Sequence, residues 1–138
     1  MKKVLVGGCF DILHYGHVRF LKEAKNAGDY LVVALESDEN TKRLKGEGRP
    51  IHSQSERHEI LSSLKFVDEV IDLPEMKTDE DYKNLTIKVG PSVIAITEGD
   101  PMKDKKTNHA RAVGASLLEI KKTKDLSSTK LAKLVGIE

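Results

Sequence analysis

The sequence predicts an α/β fold, a three-layer, doubly wound parallel sheet of about five strands. Three observations carry this expectation. Short apolar runs alternate with helix-period segments along the whole chain. The first run, Val4 to Val6, stops at Gly7-Gly8 and leads at once toward a helix start. The interval between successive runs leaves room each time for a crossover helix, which implies parallel pairing through right-handed connections.

The elements follow in order. Val4 to Val6 is a buried strand. From His17 to Ala27, Val18, Leu21 and Ala24, with Phe20 beside them, form a helical face, and Gly28 closes it as a C-terminal cap. Tyr30 to Leu35 is apolar without alternation, as in a strand buried on both faces. Thr41 to Pro50 is polar, basic and glycine-containing, hence a loop. Ser53-Gln54-Ser55-Glu56 matches a capping box and opens a helix through Leu64, with Ile60, Leu61 and Leu64 inward. Val67 to Leu73 is a third strand, shortened or near an edge because Asp68, Glu69 and Asp72 interrupt it. Asp79 to Lys88 is a helix whose acidic start suits its dipole, and Gly90-Pro91 ends it. Ser92 to Thr97 is the fourth strand and Glu98 to Lys106 a loop. Thr107 to Val113 is a short helix capped by Gly114, and Ala115 to Ile120 is the fifth strand. Lys121 to Asp125 is a basic loop. Ser127 to Val135 is a last helix with Ser127 or Ser128 as N-cap.

The 138 residues suit one domain, 1–138, with no repeat or linker. A net charge of +1 removes any bulk electrostatic case for nucleic acid or membrane binding, so neither is expected as a partner. Aromatic content of 4% without tryptophan argues against a base-stacking platform. Cys9 is the single cysteine, which excludes an internal disulfide and a cysteine-built zinc site. No apolar run approaches membrane-spanning length. Met1 to Val6 reads as a first strand rather than a signal peptide, so a cytoplasmic protein is expected.

In such sheets ligands bind beyond the carboxyl ends of the strands, at the switch point. Gly8 to His17, Glu36 to Lys45, Thr97 to Lys103 and Lys121 to Thr129 should therefore converge. The first of these carries the chemistry. In Gly7-Gly8-Cys9-Phe10-Asp11-Ile12-Leu13-His14-Tyr15-Gly16-His17, Gly8 admits close approach of a ligand, and Gly16 leaves the helix start unblocked. Free amides and the helix dipole favour an anion there. His14 and His17 place imidazole donors beside that anion. The segment is neither a G-x-G-x-x-G dinucleotide fingerprint nor a P-loop.

This segment resembles the signature of the cytidylyltransferase-like nucleotidyltransferases, the H-x-G-H enzymes, which have a Rossmann-like fold. The resemblance implies that His14 and His17 stabilise a pentacovalent transition state at the α-phosphate of a nucleoside triphosphate. Nucleotidyl transfer depends mainly on positioning and charge stabilisation, so no covalent intermediate is expected. Lys45 matches the family's phosphate-binding lysine, and Arg57 its arginine at the start of a helix. Leu126-Ser127-Ser128-Thr129-Lys130-Leu131 is similar to the second signature, I-S-T-T-x-I, whose amides and hydroxyls hold the β- and γ-phosphates. Lys122 stands where that signature has an upstream arginine, supplying charge without the bidentate fork, and Asp125 replaces its glycine. Gly8, Cys9, Phe10, Asp11 and Gly16 then line the phosphates, while Glu98, Gly99 and Asp100 follow the fourth strand near the base. The implied cofactor is Mg²⁺ carried mainly by the triphosphate, and a homodimer is implied as well.

Bland alternatives exist for each residue. Asp11 is read first as structural, Cys9 as a small buried residue, and His52, His58 and His109 as surface residues. For Arg57 the alternative to phosphate contact is an ion pair with Glu56 or Asp68. Leu44-Lys45-Gly46-Glu47-Gly48-Arg49-Pro50-Ile51 is similar to the K-G-x-x-R-P-I of heptose-phosphate adenylyltransferases of lipopolysaccharide core synthesis, and to archaeal FAD synthases. That favours ATP over CTP, with a small phosphorylated acceptor. The M-G-D-D-W of glycerol-phosphate cytidylyltransferases and the K-G-x-D-Y of the heptose enzymes are both replaced by Ile96-Thr97-Glu98-Gly99-Asp100-Pro101. A nucleotide-binding regulator without turnover and a flavodoxin-like binding module are the rival classes.

Overall fold

A computed structural model describes residues 1–122 and 133. Ten elements run in the order β1 (Lys3–Gly8), α1 (Tyr15–Asn26), β2 (Tyr30–Leu35), α2 (Asp38–Lys45), α3 (Gln54–Ser62), β3 (Glu69–Asp72), α4 (Asp79–Val89), β4 (Val93–Thr97), α5 (Lys103–Val113) and β5 (Ser116–Ile120). The strands form a five-stranded sheet, β3-β2-β1-β4-β5, and every pairing is parallel. The chain winds outward from β1 to β3 and then returns to lay β4 against β1. The switch point therefore lies between β1 and β4, as the alternating pattern implies.

Burial explains the composition of the strands. In β2, Leu31 to Leu35 are all buried, because helices cover both faces of the sheet. On one face Val4, Val6, Leu31, Val33 and Ala95 pack with Leu21 and Ala24 of α1 and Leu61 of α3. On the other, Leu5, Val32 and Ala34 meet Tyr82, Leu85 and Val89 of α4, and Ile94 and Ile96 meet Ala110 of α5. At the sheet edge β3 is short and carries exposed Glu69 and Asp72, in keeping with its interrupted pattern.

Local chemistry sets several boundaries. Ser53 and Glu56 form the expected capping box of α3, and Thr78 with Asp81 forms another at α4. Gly90 and Gly114 close α4 and α5 in the left-handed conformation that glycine adopts at least cost.

Three expectations need correction. The stretch from Thr41 is not all loop, because Asp38–Lys45 is helical with Ser37 as its N-cap. Its inward residues are Asn40 and Thr41, so it carries no apolar periodicity to detect. Helix α5 begins at Lys103, four residues before Thr107, on a first turn with no apolar residue and no side-chain cap. At α1 the cap position belongs to Ala27, not Gly28. Gly28 is needed for space: a Cβ there would lie 2.5 Å from the Lys2 carbonyl oxygen and 2.8 Å from Val4 Cγ2. The expected last helix, Ser127 to Val135, lies outside the described residues except at Lys133, which is helical and exposed.

Candidate active site

Beyond the carboxyl ends of β1, β4 and β5 a cleft of about 670 Å³ opens. Its walls come from the segments the switch-point rule selects: Gly7 to His17, Leu44-Lys45, Ala95 to Pro101, and Ile120 to Lys122. Gly8, Cys9, Phe10, His14, Gly16, His17, Lys45, Glu98, Gly99, Asp100 and Lys122 all line it.

The histidines are built into the start of α1. His14 is the N-cap, and its Nδ1 accepts the Gly16 N–H at 3.0 Å. In return the His14 N–H donates to Nδ1 of His17 at 3.2 Å. Two imidazoles thus make the reciprocal capping box that serine and glutamate usually make. A ring nitrogen that accepts a hydrogen bond carries no proton, so both neutral rings hold theirs on Nε2. The rings stack with centroids 3.8 Å apart and planes 26° apart, and Phe10 meets His17 edge-on at 5.4 Å. The backbone therefore fixes orientation and tautomer together, leaving each Nε2–H as the free donor.

Charge is tuned to match. Burial, then the Lys45 ammonium, hold His14 below the ordinary imidazole range. Burial lowers His17 to about 3, with His14 and Lys45 adding to the effect and Asp11 opposing it. Both rings are neutral at pH 7, so the stack carries no cation–cation repulsion. Lys45, the last residue of α2, supplies the positive charge.

The loop between β1 and α1 is strained and tied down. Phe10 (φ 47°) and Ile12 (φ 58°) occupy the left-handed region, at a cost of roughly 1–3 kcal/mol each. Between them Asp11 is fully buried. Its carboxylate accepts from Arg49 Nε at 2.7 Å, Ile51 N–H at 2.8 Å and His52 N–H at 3.0 Å. Burial pushes its pKa up, but the two amides and Arg49 outweigh it and hold the carboxyl below its usual range. Asp11 does not line the cleft, so the expectation that it lines the phosphates gives way to its structural reading, with Arg49 as a partner. Glycine at position 8 also serves this loop, since a Cβ there would come within 3.0 Å of the Phe10 ring.

Arg57 differs most from expectation. Its side chain is fully buried and its guanidinium is spent inside the protein. Nε donates to the His52 carbonyl at 3.0 Å, and Nη1 to the carbonyls of Cys9 at 2.8 Å and Glu36 at 3.0 Å. Nη2 meets Asp38 Oδ1 at 2.7 Å. It does not line the cleft, and neither Glu56 nor Asp68 is its partner. Arg57 acts as a positioning residue, clamping the histidine loop to β2, α2 and the entrance of α3.

The remaining candidates are placed as follows. The Cys9 thiol is buried and its pKa is raised by that burial, against a lowering contact from Thr41, which leaves it a poor nucleophile. Asp100 accepts the Met102 N–H at 2.8 Å and pairs with Lys106 at 2.7 Å. Lys106, expected at the end of a loop, therefore belongs to the cleft wall. Lys121 and Lys122 are exposed on the rim. Ser127, Ser128 and Thr129 lie outside the described residues. His109, expected at the surface, is buried, with Nε2 3.0 Å from Asp79 Oδ1. Apolar periodicity cannot reveal a polar contact of this kind.

Comparison with known proteins agrees with this geometry. The cytidylyltransferase-like family model matches residues 5–134. "Bifunctional protein HldE" of Campylobacter concisus is 52% identical over 94 residues, 67% of this chain and 19% of that protein. Its counterpart in Campylobacter jejuni subsp. jejuni is 49% identical over 111 residues, 70% of this chain and 24% of that protein. The chain thus spans a quarter or less of the length of these relatives. Among solved structures, a lipopolysaccharide core biosynthesis protein from Thermoplasma volcanium superposes with a TM-score of 0.73 at 28% identity, covering 91% of this chain and 99% of that one. A helix-capping histidine pair at the switch point of a 3-2-1-4-5 parallel sheet, under a family match of that extent, has one conclusion: the chain belongs to the cytidylyltransferase-like family of nucleotidyltransferases.

Proposed function

We propose that the chain, acting as a single nucleotidyltransferase domain, transfers AMP from ATP to the phosphate of a small sugar phosphate and releases pyrophosphate. The observation that carries this is the stacked pair of neutral imidazoles, each with its Nε2–H unspent, at the N-terminus of α1. An acceptor phosphate oxygen attacks the α-phosphorus, and the bond from that phosphorus to the β-phosphate bridging oxygen breaks. Negative charge grows on the non-bridging oxygens as this happens. The Nε2–H donors of His14 and His17, the Lys45 ammonium and the amides at the helix start meet that charge without reorganising. Gly8, Cys9, Phe10 and Gly16 shape the floor beneath the phosphates. Glu98, Gly99 and Asp100 bound the base, and Lys122 with Ser127, Ser128 and Thr129 would hold the outer phosphates.

Among the described residues no three His, Cys, Asp or Glu side chains cluster so as to hold a metal. Such a wall fits a Mg²⁺ ion that arrives on the triphosphate, where it would neutralise charge on the leaving pyrophosphate. The Leu44 to Ile51 stretch favours ATP over CTP. The likeness to a lipopolysaccharide core biosynthesis protein favours a sugar phosphate over FMN or glycerol 3-phosphate. A substrate pair of this kind implies a cytoplasmic enzyme. No helix among the described residues is long and apolar enough to cross a membrane. The homodimer that the resemblance implies is checked by sedimentation.

The test is pyrophosphate release with ATP or CTP and Mg²⁺ against heptose and hexose 1-phosphates, FMN and glycerol 3-phosphate. Release with ATP and a sugar phosphate is expected. Release with another pair would replace the substrates, and ATP binding without release across the panel would leave a binding-only protein.

A further inference from the structure

A second cavity, of about 460 Å³, lies under the sheet face that α4 and α5 cover, within the size range of small-molecule sites (about 300–1,000 Å³). Its floor is apolar, built from Leu5, Ala34, Leu73, Met76, Leu85 and Ile94. Gly8, Cys9, Leu44 and Asp100 line both this cavity and the phosphate cleft, so the two spaces meet around the end of β1. A molecule whose phosphate sits beside Lys45 can therefore extend its body into the second cavity.

Three carboxylates line the cavity: Asp100 pairs with Lys106 at 2.7 Å and Asp79 lies 3.0 Å from His109 Nε2, whereas Glu36 meets only neutral donors. Glu36, which follows β2, is only 8% exposed. Its Oε1 accepts from Asn40 Nδ2 at 3.1 Å and from the Tyr82 hydroxyl at 3.2 Å, and the same hydroxyl lies 2.9 Å from Oε2. Asn40 is itself locked, because its Nδ2 also donates to the Met76 carbonyl at 3.2 Å. All these donors are neutral, and among the described residues no cation pairs with Glu36. A carboxylate offers roughly four acceptor positions, whereas Tyr82 brings a single proton shared between two oxygens. Burial and the Glu36 charge raise the Tyr82 pKa, so the phenol keeps that proton. Glu36 is thus held in place, short of donors and facing a cavity. A neutral hydroxyl would complete its shell. An apolar floor with a small number of fixed polar groups is how small-molecule sites orient a ligand.

We infer that Glu36, positioned by Tyr82 and Asn40, determines acceptor specificity by accepting a hydrogen bond from a hydroxyl of the acceptor's sugar body in this second cavity. The inference rests on the sugar-phosphate reading above.

The experiment is steady-state kinetics of wild type and Glu36→Gln with ATP, the best sugar 1-phosphate, and a series of its deoxy analogues. Glutamine keeps the shape and still accepts from Tyr82 and Asn40, so melting midpoint and ATP KM should not move. The acceptor KM should rise roughly 10- to 100-fold, the range for one hydrogen bond to a charged group. One deoxy analogue should lose the same factor with wild type and lose nothing more with the variant. An unchanged acceptor KM in Glu36→Gln, or a variant penalty equal for every deoxy analogue, would overturn the inference while leaving the sugar-phosphate activity standing. Should Glu36→Gln fail to fold, the wild-type series decides alone, and an even response across the analogues would overturn it. A wild type inert toward every sugar 1-phosphate overturns the proposed function, and this inference with it.

Discussion

Replacing Arg57 by lysine separates two roles that an arginine near a phosphate site can play. The guanidinium reaches three carbonyl oxygens, those of Cys9, Glu36 and His52, and one carboxylate, Asp38. A lysine ammonium placed there reaches one or two of these acceptors. Each buried acceptor left bare costs about 1–3 kcal/mol. The Asp38 pair adds little, because that carboxylate is 45% exposed and screened by solvent. The sum is about 3–5 kcal/mol, a large share of the roughly 5–15 kcal/mol by which a domain is stable. At roughly 3–6 °C per kcal/mol for a domain of this size, the melting midpoint should fall by about 10–30 °C. Scanning calorimetry measures that fall, and isothermal titration at a temperature where the variant is folded measures ATP affinity. A midpoint within about 3 °C of wild type, together with ATP binding weakened tenfold or more, would refute the clamp and restore Arg57 as a phosphate ligand.

Other outcomes follow from the same contacts. Asp11→Asn removes the negative charge that Arg49 Nε meets at 2.7 Å and should cost about 1.5–3 kcal/mol by urea denaturation. The Asp11 pKa is depressed in the folded state, so its contribution is present above the unfolded value near about 4 and is lost as pH falls through the folded value. The asparagine variant should accordingly lose less stability than wild type between about pH 5 and about pH 3, and an equal loss would contradict the assignment. Gly28→Ala should destabilise by about 1–3 kcal/mol, because its Cβ would strike the Lys2 carbonyl, and a neutral or stabilising effect would show that this approach can relax. In nitrogen-detected NMR of the free protein, His14 and His17 should both show the Nε2–H tautomer at neutral pH, and His17 should not titrate down to about pH 4.5. A His17 midpoint near about 6.5 would contradict the buried, neutral stack.

The sequence disclosed most where backbone need and apolar pattern coincide. Val4 to Val6 and Leu31 to Leu35 are buried on both faces and read directly as strands, and Gly7 to His17 announces both the turn and the chemistry. It disclosed least where charged or polar groups point inward. Asn40 and Thr41 face the core of α2, so that helix has no apolar stripe and reads as a loop. Arg49 and Arg57 find their partners in Asp11, Cys9, Glu36 and Asp38, residues brought close only by the wound topology. Hydropathy treats all of these as surface. The switch-point rule was the one signal that could have reached Glu36, because it marks the residues after β2 as part of the site. The histidine capping box was written at the right spacing in His14-Tyr15-Gly16-His17, but serine and threonine are the residues that this motif brings to mind.

The central claim is that the paired Nε2–H donors of His14 and His17 stabilise charge at the α-phosphate. Its most direct test is the single-turnover rate of pyrophosphate release by His17→Ala, set beside ATP affinity and melting midpoint. The rate should fall by about a hundredfold to a thousandfold or more, with ATP affinity within a few fold of wild type. A folded variant that binds ATP and turns over within about tenfold of wild type would show that the histidines hold the helix and do not carry the reaction.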